Sequence, residues 1–207
     1  EKHFLNDGLA TGGRPRLPVN GYMPSEKVVE RKGYQTHCVV GTRAYPITHP
    51  RNMAMTLLNN ILGGPGMNSR LNLSVRERHG LSYHIESGYH PYTDTGTFEV
   101  YLGTDVETLD KALGLTFREM ERLRTVRLGS LQLHRARLQL KGQVAIAGDS
   151  NLNITLAMGK GILTKGHMES LEDLYARIDE VSAQDLLEVA NEILVPEAMS
   201  RVIYRNP

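Results

Sequence analysis

Strand-like and helix-like patterns are segregated along this chain, and that segregation limits the folds open to it. Alternation with β-branched residues is confined to residues 33–43 (Tyr34, Thr36, Cys38, Val40, Thr42), 83–92, 95–103 and 200–204. Pro50 opens a helical pattern carried by Met53, Leu57, Leu58, Ile61 and Leu62, and Gly63-Gly64-Pro65-Gly66 stops it. A short helical stretch over 69–78 is closed by Gly80, and the Thr93-Asp94 corner joins the two middle strands as a hairpin. From Asp105 onward the pattern is helix after helix. Asp105 is placed to cap a long helix with Val106, Leu109, Leu113, Met120 and Leu123 on one face. A second helix over 128–147 turns Leu133, Ala136, Leu140, Val144 and Ala147 inward, and others follow over 151–164, 170–178 and 183–194, the last capped by Ser182. The order strand, helix, strand pair, helices, strand predicts an α+β fold: a mixed, mainly antiparallel sheet with helices packed on one face.

The 207 residues suffice for one domain with a real core. Residues 6–26 are rich in Gly, Pro and Asn and are expected to be a linker or draped arm, so that 1–26 is tail and linker and 27–207 the domain. The start at Glu1 without methionine is expected of a fragment, with any targeting segment upstream and the compartment left open. Lys and Arg number 24 against 23 Asp and Glu, a balance that makes nucleic acid or an anionic membrane surface a poor partner. No apolar run approaches the roughly 20 residues that span a bilayer. Cys38 is the one cysteine, which excludes an intrachain disulfide and any multi-cysteine zinc cluster; within Cys38-Val39-Val40 it reads as a buried small residue.

The search for chemistry turns on absences. Neither His-Glu-x-x-His nor His-x-x-Glu-His surrounds any of the eight histidines, so the pair of imidazoles on one helical turn beside a general base is missing. His84, Glu86 and His90 can share one strand face, but Gly88 interrupts it, and a solvated polar face accounts for them. The glycine-rich loop at 63–69 has no lysine to make it a P-loop, and Pro65 removes an amide that a phosphate cradle needs; a turn explains it. Gly-x-Ser-x-Gly is absent. Arg118, Arg122, Arg124 and Arg127 are interleaved with acids and read as a solvated helix face. One segment stands out. Arg76 and Tyr83 lie seven residues apart across a glycine turn that could fold both to one side, where they would donate to a peptide carbonyl or its oxyanion. The residues alone favour the plainer reading, in which Arg76 pairs with a surface acid and Tyr83 packs in the core with its hydroxyl at the edge.

The same segment carries a resemblance. Leu58-Asn59-Asn60-Ile61-Leu62-Gly63-Gly64, Gly66-Met67-Asn68-Ser69-Arg70-Leu71 and Val75-Arg76-Glu77-Arg78-His79-Gly80-Leu81-Ser82-Tyr83 look very like the C-terminal half of insulinase/pitrilysin zinc metallopeptidases. The likeness continues at Tyr92-Thr93-Asp94-Thr95-Gly96, Tyr101-Leu102-Gly103-Thr104, residues 135–142 and residues 178–185, covering about Glu30 to Tyr204 in the right order. Glu1-Lys2-His3-Phe4 resembles the tail of the preceding homologous domain. The resemblance implies a LuxS/mitochondrial-processing-peptidase-like metallohydrolase fold, in which two similar halves close around an unfolded peptide substrate. It implies that zinc sits in a partner N-terminal catalytic half, fused or separate, and that this chain holds no metal and is inactive alone. It implies substrate binding by Arg76 and Tyr83, with the family's glycine-rich loop at Gly63, Gly64 and Gly66, where Pro65 departs from an all-glycine run. A homo-oligomer is compatible with it. The alternative it leaves is a structural or assembly subunit of the same fold beside a separate catalytic partner.

Overall fold

The computed structural model describes residue 19 and residues 21–206. Five strands and six α-helices follow one another as β1 (Glu26–Glu30), β2 (Thr36–Ala44), α1 (Asn52–Gly63), β3 (His84–Pro91), β4 (Gly96–Thr104), α2 (Leu109–Thr125), α3 (Ser130–Gly148), α4 (Asn151–Lys165), α5 (Leu171–Glu180), α6 (Ala183–Ile193) and β5 (Ser200–Arg205). The strands form one sheet in the order β1-β5-β2-β4-β3. β1 runs parallel to β5, and every other pairing is antiparallel. This is the expected α+β fold with a mixed sheet.

Period-two alternation decides which sheet face is covered. Cys38 and Val40 of β2, Phe98, Val100 and Leu102 of β4, Ile85 of β3 and Ile203 of β5 are buried on one face, among the apolar residues of the helices. The opposite face carries His37, Glu86, His90 and Tyr101, which are exposed or half-buried. Helix α1 buries Met55, Leu57, Leu58 and Leu62, α2 buries Leu113, Met120 and Leu123, and α6 buries Leu186, Val189 and Ile193. Ser182 caps α6 as expected: its Oγ accepts from the Asp185 N–H at 3.1 Å while Asp185 Oδ2 accepts the Ser182 N–H at 2.8 Å. Ser170 and Asp173 repeat this reciprocal pattern at the start of α5.

Several expectations are corrected. β1 was not foreseen, because Glu-Lys-Val-Val-Glu offers only two apolar residues and its partner, β5, lies at the far end of the chain. Its charges suit an edge position. Asp105 makes no side-chain cap. Its carbonyl accepts the Thr108 N–H at 3.1 Å in a 3₁₀ turn (Val106–Thr108) that lifts Val106 out to 49% exposure and delays α2 to Leu109. Ala147, expected inward, is exposed because the end of α3 runs beyond the core. The short helix before Gly80 is widened into a π-helix over Asn72–Glu77. The expected tail lies outside the described residues, as does most of the linker. At the linker's described end the Tyr22 hydroxyl donates to the Ala198 carbonyl at 3.0 Å and accepts the Ser200 N–H at 3.0 Å.

Candidate functional site

The turn between the π-helix and β3 is closed by two nested backbone bonds. Gly80 N–H donates to Arg76 O at 2.9 Å, and Leu81 N–H donates to Val75 O at 3.0 Å. Gly80 makes this possible with φ +60°, a left-handed conformation that a Cβ disfavours. The strand side is equally fixed. The Ser82 hydroxyl is shared between the carbonyls of His84 at 2.7 Å and Gly103 at 2.8 Å, the Thr104 hydroxyl donates to Leu81 O, and Tyr83 N–H donates to Gly103 O at 3.1 Å. His79 Nδ1 meets Ser74 O at 2.6 Å.

Arg76 and Tyr83 therefore sit at the two ends of a pinned turn, and both side chains face solvent. The Arg76 guanidinium lies 3.9 Å from the Glu77 carboxylate, an exposed contact of little strength. Tyr83 is 62% exposed, so the expectation that its ring packs in the core is not met; among the described residues its hydroxyl has no hydrogen-bond partner.

The glycine-rich loop is a packing device. A Cβ on Gly63 would lie 2.7 Å from both N and Oγ of Ser87 on β3 and 2.9 Å from a Leu71 methyl. One on Gly64 would lie 2.3 Å from Asn60 Oδ1, and one on Gly66 2.5 Å from Gln139 Nε2. None of the three has positive φ; at Gly63 and Gly64 close backbone approach requires glycine, whereas at Gly66 the facing atoms are the ends of the Gln139 and Asn68 side chains, which can give way. Asn68 Nδ2 donates to Gln139 Oε1 at 2.8 Å, which ties the loop to α3. The nearest neighbours of these glycines are Ser87, Leu71, Asn60, Asn68 and Gln139; neither Arg76 nor Tyr83 is among them.

Strand register adds residues that reading β3 alone missed. His37, Gly103 and His84 lie in one row across β2, β4 and β3, and Tyr101 stands beside Glu86 in the next row. His37 Nδ1 and the Tyr101 hydroxyl are 2.7 Å apart, His84 tilts over the Tyr101 ring at 5.6 Å, and His84 Nε2 is 3.3 Å from Glu86. Gly88 does not merely interrupt the face. A Cβ there would lie 2.6 Å from Glu99 Oε1, so its absence leaves room for Glu99 to reach His90 Nε2 at 2.6 Å. The result is a polar strip on the open face of the sheet. The signal lay in the pairing of β2 with β4, which no local pattern reveals.

Two of the strip's imidazoles meet carboxylates in separate pairs, His84 with Glu86 and His90 with Glu99, while His37 meets the Tyr101 hydroxyl. Among the described residues no group of three or more His, Cys, Asp or Glu is gathered where it could hold a metal ion. The donor set does not fit a zinc site. Cys38, in the core, has its thiol pushed up to about 11 by burial, with Arg201 opposing and Glu26 adding to the effect. Two of the three arginines of α2 lie against neighbouring acids, Arg122 on Glu119 at 2.8 Å and Arg124 on Glu121 at 3.3 Å.

The chain is thus an α+β domain with a covered and an open sheet face and a pinned arginine–tyrosine turn, without a metal-ligand cluster among the described residues. Residues 7–140 match the family described as the peptidase M16 inactive domain, and the chain belongs to that family. An uncharacterized zinc protease of Streptomyces coelicolor is 32% identical over 168 residues, 81% of this chain and 36% of the relative. The beta subunit of human mitochondrial-processing peptidase is 29% identical over 203 residues, 93% of this chain and 41% of that subunit. The crystal structure of a peptidase M16 inactive domain from Pseudomonas fluorescens superposes with a TM-score of 0.79 at 26% identity, covering 89% of this chain and 44% of that one. A chain of complex III2 from Candida albicans shares the fold alone, at a TM-score of 0.77 and 16% identity over 88% of this chain and 46% of that one. The chain spans half or less of the length of the curated relatives it matches.

Proposed function

We propose that this chain, with residues 27–207 as its domain and residues 1–26 as tail and linker, is the non-catalytic half of a zinc metalloendopeptidase. It closes a peptide-binding chamber opposite an N-terminal half that carries the zinc, whether the two halves are fused or separate. The observation that carries the reading is the turn at 76–83. Two long donors flank a backbone locked by hydrogen bonds, and both are exposed with little local partnering. A scaffold has no use for an exposed phenol and guanidinium held this way. A peptide carbonyl does, because fixed donors aimed at it stabilise the oxyanion without reorganising during the reaction. Tyr83 would donate one hydrogen bond. Arg76 would add a charged donor whose weak contact with Glu77 is readily exchanged for substrate. The zinc belongs to the other half in this reading, since among the described residues no ligand set is gathered.

The test uses the chain together with its zinc-binding half, supplied fused or co-expressed, and a fluorogenic peptide library. Arg76→Ala and Tyr83→Phe are each expected to lower turnover by roughly 100-fold, the loss of an oxyanion donor. Zinc content of the complex should be unchanged in both. Full turnover in both variants would overturn the reading and leave a structural or assembly subunit.

A further inference from the structure

A cleft of about 400 Å³ opens between the π-helix, the end of α2 and the start of α3, and neither Arg76 nor Tyr83 lines it. Its walls carry four guanidinium groups, those of Arg70, Arg78, Arg122 and Arg127, and one carboxylate, that of Glu119. Four cations less one anion leave a local charge of +3, on a chain whose 24 basic and 23 acidic side chains nearly cancel. Like charges gathered in a concavity repel one another, and the concavity focuses their field.

Glu119 does not discharge the cluster. Its side chain is 7% exposed and is engaged by Arg122 at 2.8 Å, while Arg70 stands 3.9 Å away, beyond hydrogen-bond reach. The Arg70 side chain is only 26% exposed, yet among the described residues its guanidinium makes no hydrogen bond. Burial lowers its pKa, with Glu119 opposing and Arg122 adding to the fall, so its charge lacks a proper counterion. Arg78 and Arg127 are exposed and, among the described residues, form no ion pair. The Ser74 hydroxyl and the Gln132 amide nitrogen also line the cleft without a partner there; Gln132 Oε1 already accepts the Gly129 N–H at 3.1 Å. Arginines on a solvated face are ordinarily spread apart or set against acids, as Arg124 is against Glu121 at 3.3 Å.

The backbone assembles one wall. Arg70, Ser74 and Arg78 recur every four residues, the interval that stacks side chains along one side of a helix. The row ends in a wide turn, closed by Arg78 N–H donating to Leu73 O at 3.1 Å. Such π-turns are rare and recur at functional sites.

We infer that this cleft binds a small multivalent oxyanion of the phosphate class. Arg70, Arg78 and Arg127 hold its oxygens through paired N–H groups, the match that planar guanidinium offers to phosphate, and Ser74 and Gln132 add neutral donors. Arg122 stays with Glu119. The ligand is small because the cleft is concave and falls within the roughly 300–1,000 Å³ of small-molecule sites. A nucleic acid needs a longer basic stripe than this nearly neutral chain provides.

Calorimetric titration of the 207-residue chain with pyrophosphate, in low-salt buffer free of phosphate, should show one-to-one binding with a Kd of about 1 mM or tighter. Arg78→Gln and Arg127→Gln alter exposed side chains, so each should keep the native circular dichroism spectrum and weaken binding about 10-fold, the loss of one charge-assisted hydrogen bond. Arg118→Gln, on α2 but outside the cleft, should leave binding unchanged. No binding to the chain overturns the proposal, and equal weakening by Arg118→Gln would mean diffuse surface charge and overturns it too. So does hexaglutamate binding tighter than pyrophosphate, which would mark a contact for an acidic protein segment. Binding that disappears when the zinc-binding half is added also overturns it, since the rest of the protein would then fill the cleft. The outcome is separate from that for Arg76 and Tyr83, which the cleft does not include.

Discussion

Replacing Gly63 by alanine asks whether the glycine-rich loop is there for mobility or for contact. If the loop needs only freedom, one methyl at the end of α1 is nearly harmless. The structure says otherwise. The new carbon would stand 2.7 Å from the backbone nitrogen and the hydroxyl of Ser87 and 2.9 Å from Leu71, where ordinary contact begins at 3.4 Å. Ser87 lies mid-strand, paired with Val100 of β4, so it cannot swing away as a flexible tip would. Helix and strand must part by about 0.7 Å, which is overpacking strain of roughly 1–3 kcal/mol. Separation also lengthens the Ser87 Oγ bond to Asn59 O, now 3.2 Å, with a further loss of about 1 kcal/mol. The expected destabilisation is thus about 2–4 kcal/mol, or a midpoint lowered by roughly 5–15 °C for a domain of this size. Equilibrium urea unfolding followed by circular dichroism, at unchanged slope, measures it directly. A Gly63→Ala chain within about 0.5 kcal/mol of the parent would refute the close-packing argument.

Other consequences are as direct. Gly80→Ala meets open space, so its penalty is conformational alone, about 1–2 kcal/mol in the same unfolding measurement; no loss would mean that the turn relaxes. Ser182→Ala should cost about 1 kcal/mol by removing the α6 cap, again read by urea unfolding. Hydrogen bonds from the hydroxyl and N–H of Ser182 hold the Asp185 carboxyl below its usual range, so its stabilisation is whole above about pH 4 and disappears as pH falls through the lowered folded value. Asp185→Asn should accordingly show a flatter acid limb than the parent in pH-dependent unfolding; identical limbs would contradict this. Cys38, its thiol raised to about 11 by burial, should resist Ellman's reagent at pH 8 until the chain is unfolded, and fast labelling of the native chain would contradict its burial.

What could be read before folding was whatever neighbouring residues decide. Ser182, three residues ahead of Asp185 and followed by Leu186, Val189 and Ile193, announces α6 in a dozen letters. The position of the glycine-rich loop was equally plain, since four breakers in a row end a helix. Its purpose was not, because Ser87 reaches Gly63 only once β3 has crossed α1. Tyr83 illustrates the same limit at the candidate site. Its spacing from Arg76 was visible, but its exposure depends on Ser82 and Thr104 fastening the turn from a strand some twenty residues later. α3 was read inward from Leu133 and Leu140, while its outward Leu131, Leu138 and Ile146 passed unnoticed beside them. Two apolar faces on one helix blur the very periodicity that sequence reading relies on.

The position of β5, between β1 and β2, has a consequence for how the protein is made. Glu30 and Arg205 end up side by side although 175 residues separate them. On a ribosome adding about 5–20 residues per second, β1 therefore emerges roughly 10–35 seconds before its partner β5 exists. In that interval the strand stays soluble through Glu26, Lys27 and Glu30 rather than through pairing. Closing the sheet is then a late, long-range event, slow for its size, and a polypeptide released before Ser200 would carry a permanently orphaned first strand.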